Sequence, residues 1–136
     1  MEAINVMSLS VTSIGPTAPI QQAHTLMLGL GARHLPVVSG GRLVGILSDR
    51  DVLLRVGHTG KAFVYPQVNV DALMSVGVIT AEMYTPVAEI AHLMITHKID
   101  AVPIVTQHGD LVGLVTSTDL LRVVGQLRCA PGVRCA

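Results

Sequence analysis

Apolar positions recur along the chain in two rhythms, and the rhythms alternate twice in the same order. Val11-Thr12-Ser13-Ile14 and Val78-Ile79-Thr80 read as short strands. Pro19 and Pro86 each open a helix, because a missing N–H costs nothing in a first turn. After Pro86, the residues Val87, Ile90, Ala91, Met94 and Ile95 follow helical spacing, with Glu89 and Lys98 on other faces. After Pro19, the residues Ile20, Ala23, Met27 and Leu30 do the same. Two strands follow in each half. Leu35-Pro36-Val37-Val38 turns at Ser39-Gly40-Gly41 into Leu43-Val44-Gly45-Ile46-Leu47, and Val102-Pro103-Ile104-Val105 turns at Gln107-His108-Gly109-Asp110 into Leu111-Val112-Gly113-Leu114-Val115. A polar-capped helix closes each half, over Asp49–Leu54 and Ser117–Leu121. The unit is strand–helix–strand–strand–helix, an α+β arrangement.

The two halves are copies. Shifted by 67, residues 6–40 fall on 73–107, with Met7-Ser8 on Met74-Ser75, Pro19 on Pro86 and Pro36 on Pro103. His108 then inserts and the shift becomes 68, which sets Leu43-Val44-Gly45 on Leu111-Val112-Gly113 and Asp51 on Asp119. Residues 6–57 share 16 identities with their counterparts, far above chance for that length. The boundaries expected are a first repeat over 1–58, a linker over 59–71, a second repeat over 72–126 and a tail over 127–136. A unit of about 50 residues buries little core alone, so the expected architecture packs the two sheets together about a pseudo-two-fold axis.

Composition narrows the function classes. Of 136 residues, 50% are hydrophobic and 13% are charged, which excludes disorder. Nine basic residues balance nine acidic ones, so no electrostatic footprint for nucleic acid exists. One Phe, two Tyr and no Trp leave no stacking platform for single strands. The mean hydropathy of +0.59 is high, yet no apolar run approaches the ~18 residues of a membrane span. Met1–Asn5 carries Glu2 and no basic segment, unlike a secretory signal. A soluble cytoplasmic protein is expected, with homodimerisation through helix faces as the outlet for surplus apolar surface. Cys129 and Cys135 lie in the tail and are expected as free thiols, since no oxidising compartment and no nearby His suggest a disulfide or a zinc site.

The candidate chemistry sits where the last strand of each copy meets its last helix. The segments are Gly45-Ile46-Leu47-Ser48-Asp49-Arg50-Asp51 and Gly113-Leu114-Val115-Thr116-Ser117-Thr118-Asp119. Unpaired N–H groups at a helix start favour phosphate, a Ser or Thr hydroxyl adds a donor, and an Asp one turn later can accept both hydroxyls of a ribose. The same residues also serve as plain N-caps and first-turn acids. Gly45 and Gly113 allow a close backbone approach.

Both copies resemble the cystathionine-beta-synthase (CBS) domain, and the whole chain resembles a tandem CBS pair. The two segments above fit that family's G-h-h-[ST]-x-x-D pattern, and Arg33-His34-Leu35-Pro36-Val37-Val38 and Asp100-Ala101-Val102-Pro103-Ile104-Val105 fit its second signature. The resemblance covers residues 4–57 and 72–125. It implies two clefts between the repeats that bind adenosine compounds such as AMP, ADP, ATP or S-adenosylmethionine, and a bound state that regulates an attached or partner protein. The candidate binding set it implies is Thr12, Ser13, Arg33, His34, Pro36, Ser48, Arg50 and Asp51 from the first copy. From the second it is Ile79, Thr80, Asp100, Ala101, Pro103, Thr116, Ser117, Thr118 and Asp119.

The copies differ in charge. Arg33-His34 becomes Asp100-Ala101, and Arg50 becomes Thr118, so the basic groups come mainly from the first copy. Arginine is the better planar clamp for phosphate, so one cleft is expected to favour a phosphorylated ligand. Enzyme signatures are absent: no Walker loop, no G-x-S-x-G and no zincin motif occurs, and Gly29-Leu30-Gly31 lacks a third glycine. The six histidines form no His-x-x-x-His pair. No catalytic residue, metal or required cofactor is expected. The leading reading is a sensor whose regulatory ligand is an adenosine nucleotide and whose effector protein is unidentified; the alternative is a structural dimerisation module with empty clefts.

Overall fold

The computed structural model describes residues 1–127. The first repeat contributes helix α2 (Ile20–Leu30), strands β1 (His34–Ser39) and β2 (Arg42–Ser48), and helix α3 (Asp49–Leu53). The second contributes α4 (Val87–His97), β5 (Ala101–Val105), β6 (Leu111–Thr116) and α5 (Ser117–Gly125). Between them stand β3 (Gly57–Thr59) and β4 (Ala62–Val64), and α1 (Ala3–Val6) precedes everything. This mixed α and β arrangement repeats as the sequence pattern requires. Pro19 and Pro86 take the cap position itself rather than the first helical turn.

The hairpins β1–β2 and β5–β6 are antiparallel, and each carries a register shift at the same place, Val37/Val38 and Ile104/Val105. The strands expected over Val11–Ile14 and Val78–Thr80 shrink to single parallel bridges, Ile14 to Val37 and Ala81 to Ile104. Proline explains the loss. Ile14 N–H donates to the Pro36 carbonyl at 3.0 Å and Val38 N–H donates to the Ile14 carbonyl at 2.9 Å. The next rung toward Thr12 would need an N–H on Pro36, and the rung beyond Ile14 would need one on Pro16; neither has it. Pro103 imposes the same limit upstream of Ala81.

Each repeat is completed by the segment that leads into the other. Ala3 and Met7 are buried in the core of the second repeat, with Ile90, Met94, Val102, Ile104 and Val115. Val70, fully buried, sits in the core of the first with Ile20, Met27, Leu35, Val37, Leu47 and Val52. The stretch expected as a linker, 59–71, is therefore folded. Val70 N–H donates to the Ala18 carbonyl at 2.8 Å and Asp71 N–H to the Pro16 carbonyl at 2.9 Å. Around it two of the three aromatics gather: Tyr65 Oη lies 2.7 Å from Nδ1 of buried His24, and Phe63 packs edge-on to the same ring at 5.1 Å.

Gly45 and Gly113 mark the crossings. A Cβ on Gly45 would lie 2.6 Å from Met74 Sδ and 3.0 Å from the Ser75 carbonyl oxygen; on Gly113 it would meet Met7 Sδ at 2.6 Å and the Ser8 carbonyl at 3.2 Å. Ile46 and Ser75 exchange backbone bonds at 3.0 and 2.9 Å, and Leu114 and Ser8 do so at 3.0 and 3.3 Å. The close approach read from these glycines is thus to the other repeat's lead-in segment.

Two residues of the helically spaced apolar sets are exposed, Leu30 at 51% and Ile95 at 74%. No helix among the described residues is long and apolar enough to cross a membrane. Cys129 and Cys135 lie outside the described residues.

Candidate functional site

Two clefts open between the repeats. The first has a volume of about 460 Å³ and is lined by Ser48, Asp49, Arg50 and Asp51 at the β2–α3 junction, by Arg33, His34, Ile46 and Ser75, and by Lys98, Ile99, Asp100 and Ala101. The second has about 410 Å³ and is lined by Thr116, Thr118, Asp119 and Arg122, with Ser8, Leu114, Leu30, Gly31, Ala32, Arg33, His34 and Asp100. The segment 98–101 of one repeat thus matches 31–34 of the other, as the shift of 67 dictates.

The geometry of Ser48-x-x-Asp51 and Thr116-x-x-Asp119 is the same in outline. Ser48 N–H donates to Asp51 Oδ2 at 3.0 Å, and Asp51 N–H donates back to Ser48 Oγ at 3.1 Å. Thr116 N–H donates to Asp119 Oδ2 at 2.8 Å, and Asp119 N–H to Thr116 Oγ1 at 3.4 Å. These are reciprocal caps, so each carboxylate already spends one oxygen on its own helix. The two readings left open by the residues therefore coexist: the Asp is a cap, and it keeps a second oxygen.

The second oxygens differ. Asp51 Oδ1 has no hydrogen-bond partner among the described residues, and Ser48 donates its hydroxyl to none of them. In the other cleft Arg122 Nη1 donates to Asp119 Oδ1 at 3.2 Å, and the Thr116 hydroxyl donates to Asp119 Oδ2 at 3.1 Å. Asp119 thus has both oxygens engaged within the second cleft, whereas in the first Asp51 Oδ1 and the Ser48 hydroxyl proton have no partner among the described residues.

Charge follows the same division. Arg33 and Asp100, expected to mark opposite ends of a phosphate preference, stand together and line both clefts. His34 Nε2 donates to Asp100 Oδ1 at 2.8 Å, and Arg33 Nη2 lies 4.0 Å from Asp100 Oδ2. Arg33 is therefore part-neutralised wherever it points. Arg50 and Lys98 reach only the first cleft, and among the described residues neither has a carboxylate within 4.0 Å. The second cleft has Arg122 instead, already held by Asp119.

Of the residues singled out in the sequence, Arg33, His34, Ser48, Arg50, Asp51, Asp100 and Ala101 meet in the first cleft, and Thr116, Thr118 and Asp119 join Arg33, His34 and Asp100 in the second. Thr12, Ser13, Pro36, Ile79, Pro103 and Ser117 line neither. Thr80 lines a separate cavity of about 280 Å³ with Leu43, Val78 and Gly109. Lys98, Ser75 and Arg122 escaped the sequence reading. Arg122 was visible one helical turn after Asp119, and Lys98 in the register that sets it on Gly31. Among the described residues no group of three His, Cys, Asp or Glu side chains is placed to hold a metal ion.

The CBS domain matches residues 3–58 and again residues 70–126. The chain belongs to the CBS-domain family. The similarity extends to solved structures. The CBS domain pair of protein MJ0100, in complex with 5'-methylthioadenosine and S-adenosyl-L-methionine, superposes with a TM-score of 0.80 at 27% identity, over 92% of this chain and 96% of that one. The cytosolic domain of the Mg2+ channel MgtE in complex with ATP gives 0.74 at 26% identity, over 90% of this chain and 48% of that one. The CBS domain-containing protein YhcV of Bacillus subtilis is 34% identical over 116 residues, covering 85% of this chain and 80% of YhcV. Other curated relatives are longer: the chain spans 41% of one and 20–24% of six more.

Proposed function

We propose that this CBS pair is a regulatory module that binds an adenosine-containing compound in its first cleft and passes the bound state to a partner protein. The carrying observation is the unspent chemistry of that cleft. Asp51 Oδ1 is a carboxylate acceptor without a partner among the described residues, suited to the paired hydroxyls of a ribose. Ser48 has a hydroxyl to donate, and among the described residues Arg50 and Lys98 are cations with no carboxylate within 4.0 Å. Leucine and methionine side chains, which would fill a purely structural cleft, do not line it. The adenosine compounds named in the complexes of the two similar structures above support the ligand class. No catalytic role enters, because a sensor needs only differential binding.

The same reading includes a homodimer formed through helix faces. Leu28 and Leu30 on α2, Leu53 on α3, Ile95 on α4, and Leu121 and Val124 on α5 are all exposed, by 47–74%. That apolar surface needs a partner.

A thermal-shift screen with AMP, ADP, ATP and S-adenosylmethionine tests the ligand. A compound that binds the folded state alone adds about 2.7 kcal/mol of stability at a hundredfold excess over Kd. A flat response to all four contradicts the proposal.

A further inference from the structure

Lys98 is the one non-glycine residue with a positive φ among the described residues, at φ 53° and ψ 47°. Left-handed backbone presses Cβ toward the following carbonyl, so helices that end this way ordinarily do so on glycine. The first repeat obeys. Gly31, the counterpart of Lys98 under the shift of 67, closes α2 with φ 63° and ψ 25°. Both residues close an 11-residue helix by the same device, Gly31 N–H returning to Leu28 and Met27 and Lys98 N–H to Met94.

A lysine therefore stands where the fold favours glycine, and its packing offers no return. Lys98 is exposed and has no carboxylate within 4.0 Å among the described residues. What the lysine gains is position. Lys98 lines the first cleft with Arg50 and Arg33, whereas Gly31 occupies the matching place in the second cleft and has no side chain to offer. Backbone strain that packing does not reward concentrates at functional sites.

We propose that Lys98 is the specificity residue of the first cleft. It sets an ammonium against the phosphates of the bound nucleotide and so selects a di- or triphosphate there. The second cleft, with Gly31 in that place and Arg122 tied to Asp119, takes adenosine compounds of lower negative charge. The inference rests on the adenosine-binding reading above and names its ligand class. Lysine suits the task as a compact charge with three donors on a flexible stem, able to follow a phosphate chain from the cleft wall.

The test is calorimetry with ATP and adenosine on the wild-type chain, Lys98→Gly and Lys98→Arg. Gly31 shows that glycine holds this backbone, so Lys98→Gly folds and its melting temperature is equal or higher. ATP affinity in Lys98→Gly falls at least about tenfold, as expected for one charge-assisted contact. Adenosine affinity stays the same, and Lys98→Arg restores most of the ATP binding. Unchanged ATP affinity in Lys98→Gly, or an equal loss for ATP and adenosine, overturns the role of Lys98 while leaving adenosine binding intact. Wild-type protein that binds adenosine but not ATP also overturns it alone. Wild-type protein that binds neither overturns both the adenosine-binding reading and this assignment.

Discussion

His34 of the first repeat and Asp100 of the second are joined Nε2 to Oδ1 at 2.8 Å, on the divide between the two clefts. The contact ties the repeats together at the point where each contributes its second signature. It also places a carboxylate beside Arg33 and thereby fixes which cations remain free for an anion. Replacing the carboxylate separates the two effects. The Asp100 side chain is 49% exposed, so Asp100→Asn should cost no more than about 1 kcal/mol of stability. ATP should bind more tightly to this variant, because a like charge leaves the cleft and Arg33 is released. Denaturant unfolding and ATP titration check the two halves, and weaker ATP binding in Asp100→Asn would contradict the electrostatic account.

The two motif carboxylates should respond differently. Asp51→Asn preserves an acceptor for Ser48 N–H but removes the charge at the free oxygen, so adenosine binding should fall about tenfold with little change in stability. Asp51→Ala loses the reciprocal cap as well, at about 0.5–2 kcal/mol. Asp119→Asn should affect adenosine far less, since Arg122 already occupies Asp119 Oδ1. Equal losses at both positions would show that the internal pair opens for ligand.

Gly45→Ala and Gly113→Ala should each destabilise by about 1–3 kcal/mol, because the new methyl group meets Met74 or Met7 and a backbone carbonyl behind it. Unfolding curves measure this directly. Stability equal to wild type would mean that the crossing segments shift freely, against the crosswise packing described above.

Tyr65→Phe should cost about 1–3 kcal/mol by leaving Nδ1 of buried His24 without its partner. Hydrogen exchange should then rise in residues 57–70 before it rises in the two hairpins. Protection lost uniformly across the chain would contradict a locally held connector.

The duplication, the hairpins and the capped helices were legible because each depends on residues near one another in sequence. Leu43-Val44-Gly45 matching Leu111-Val112-Gly113 is enough to show that one unit occurs twice. The crosswise exchange was not legible. Nothing in Ala3 or Val70 says which repeat buries it, since both are small apolar residues beside a polar stretch. The truncated first strands were open to reading, because Pro16, Pro36 and Pro103 remove ladder donors; apolar runs alone conceal this. In the site, residue types named the motif but not its state. Asp51 and Asp119 look alike in sequence, and only the position of Arg122 makes one free and the other engaged. Lys98 shows the reverse case: its meaning lies in the register with Gly31, which a residue-by-residue search for ligands passes over.

The account turns on one cleft being chemically open and the other closed on itself. ATP titrated calorimetrically into the chain at low and high salt tests this most directly. One strong site per chain is predicted, weakening as salt rises because free Arg50 and Lys98 supply the selectivity. Two equal sites that ignore salt would contradict it.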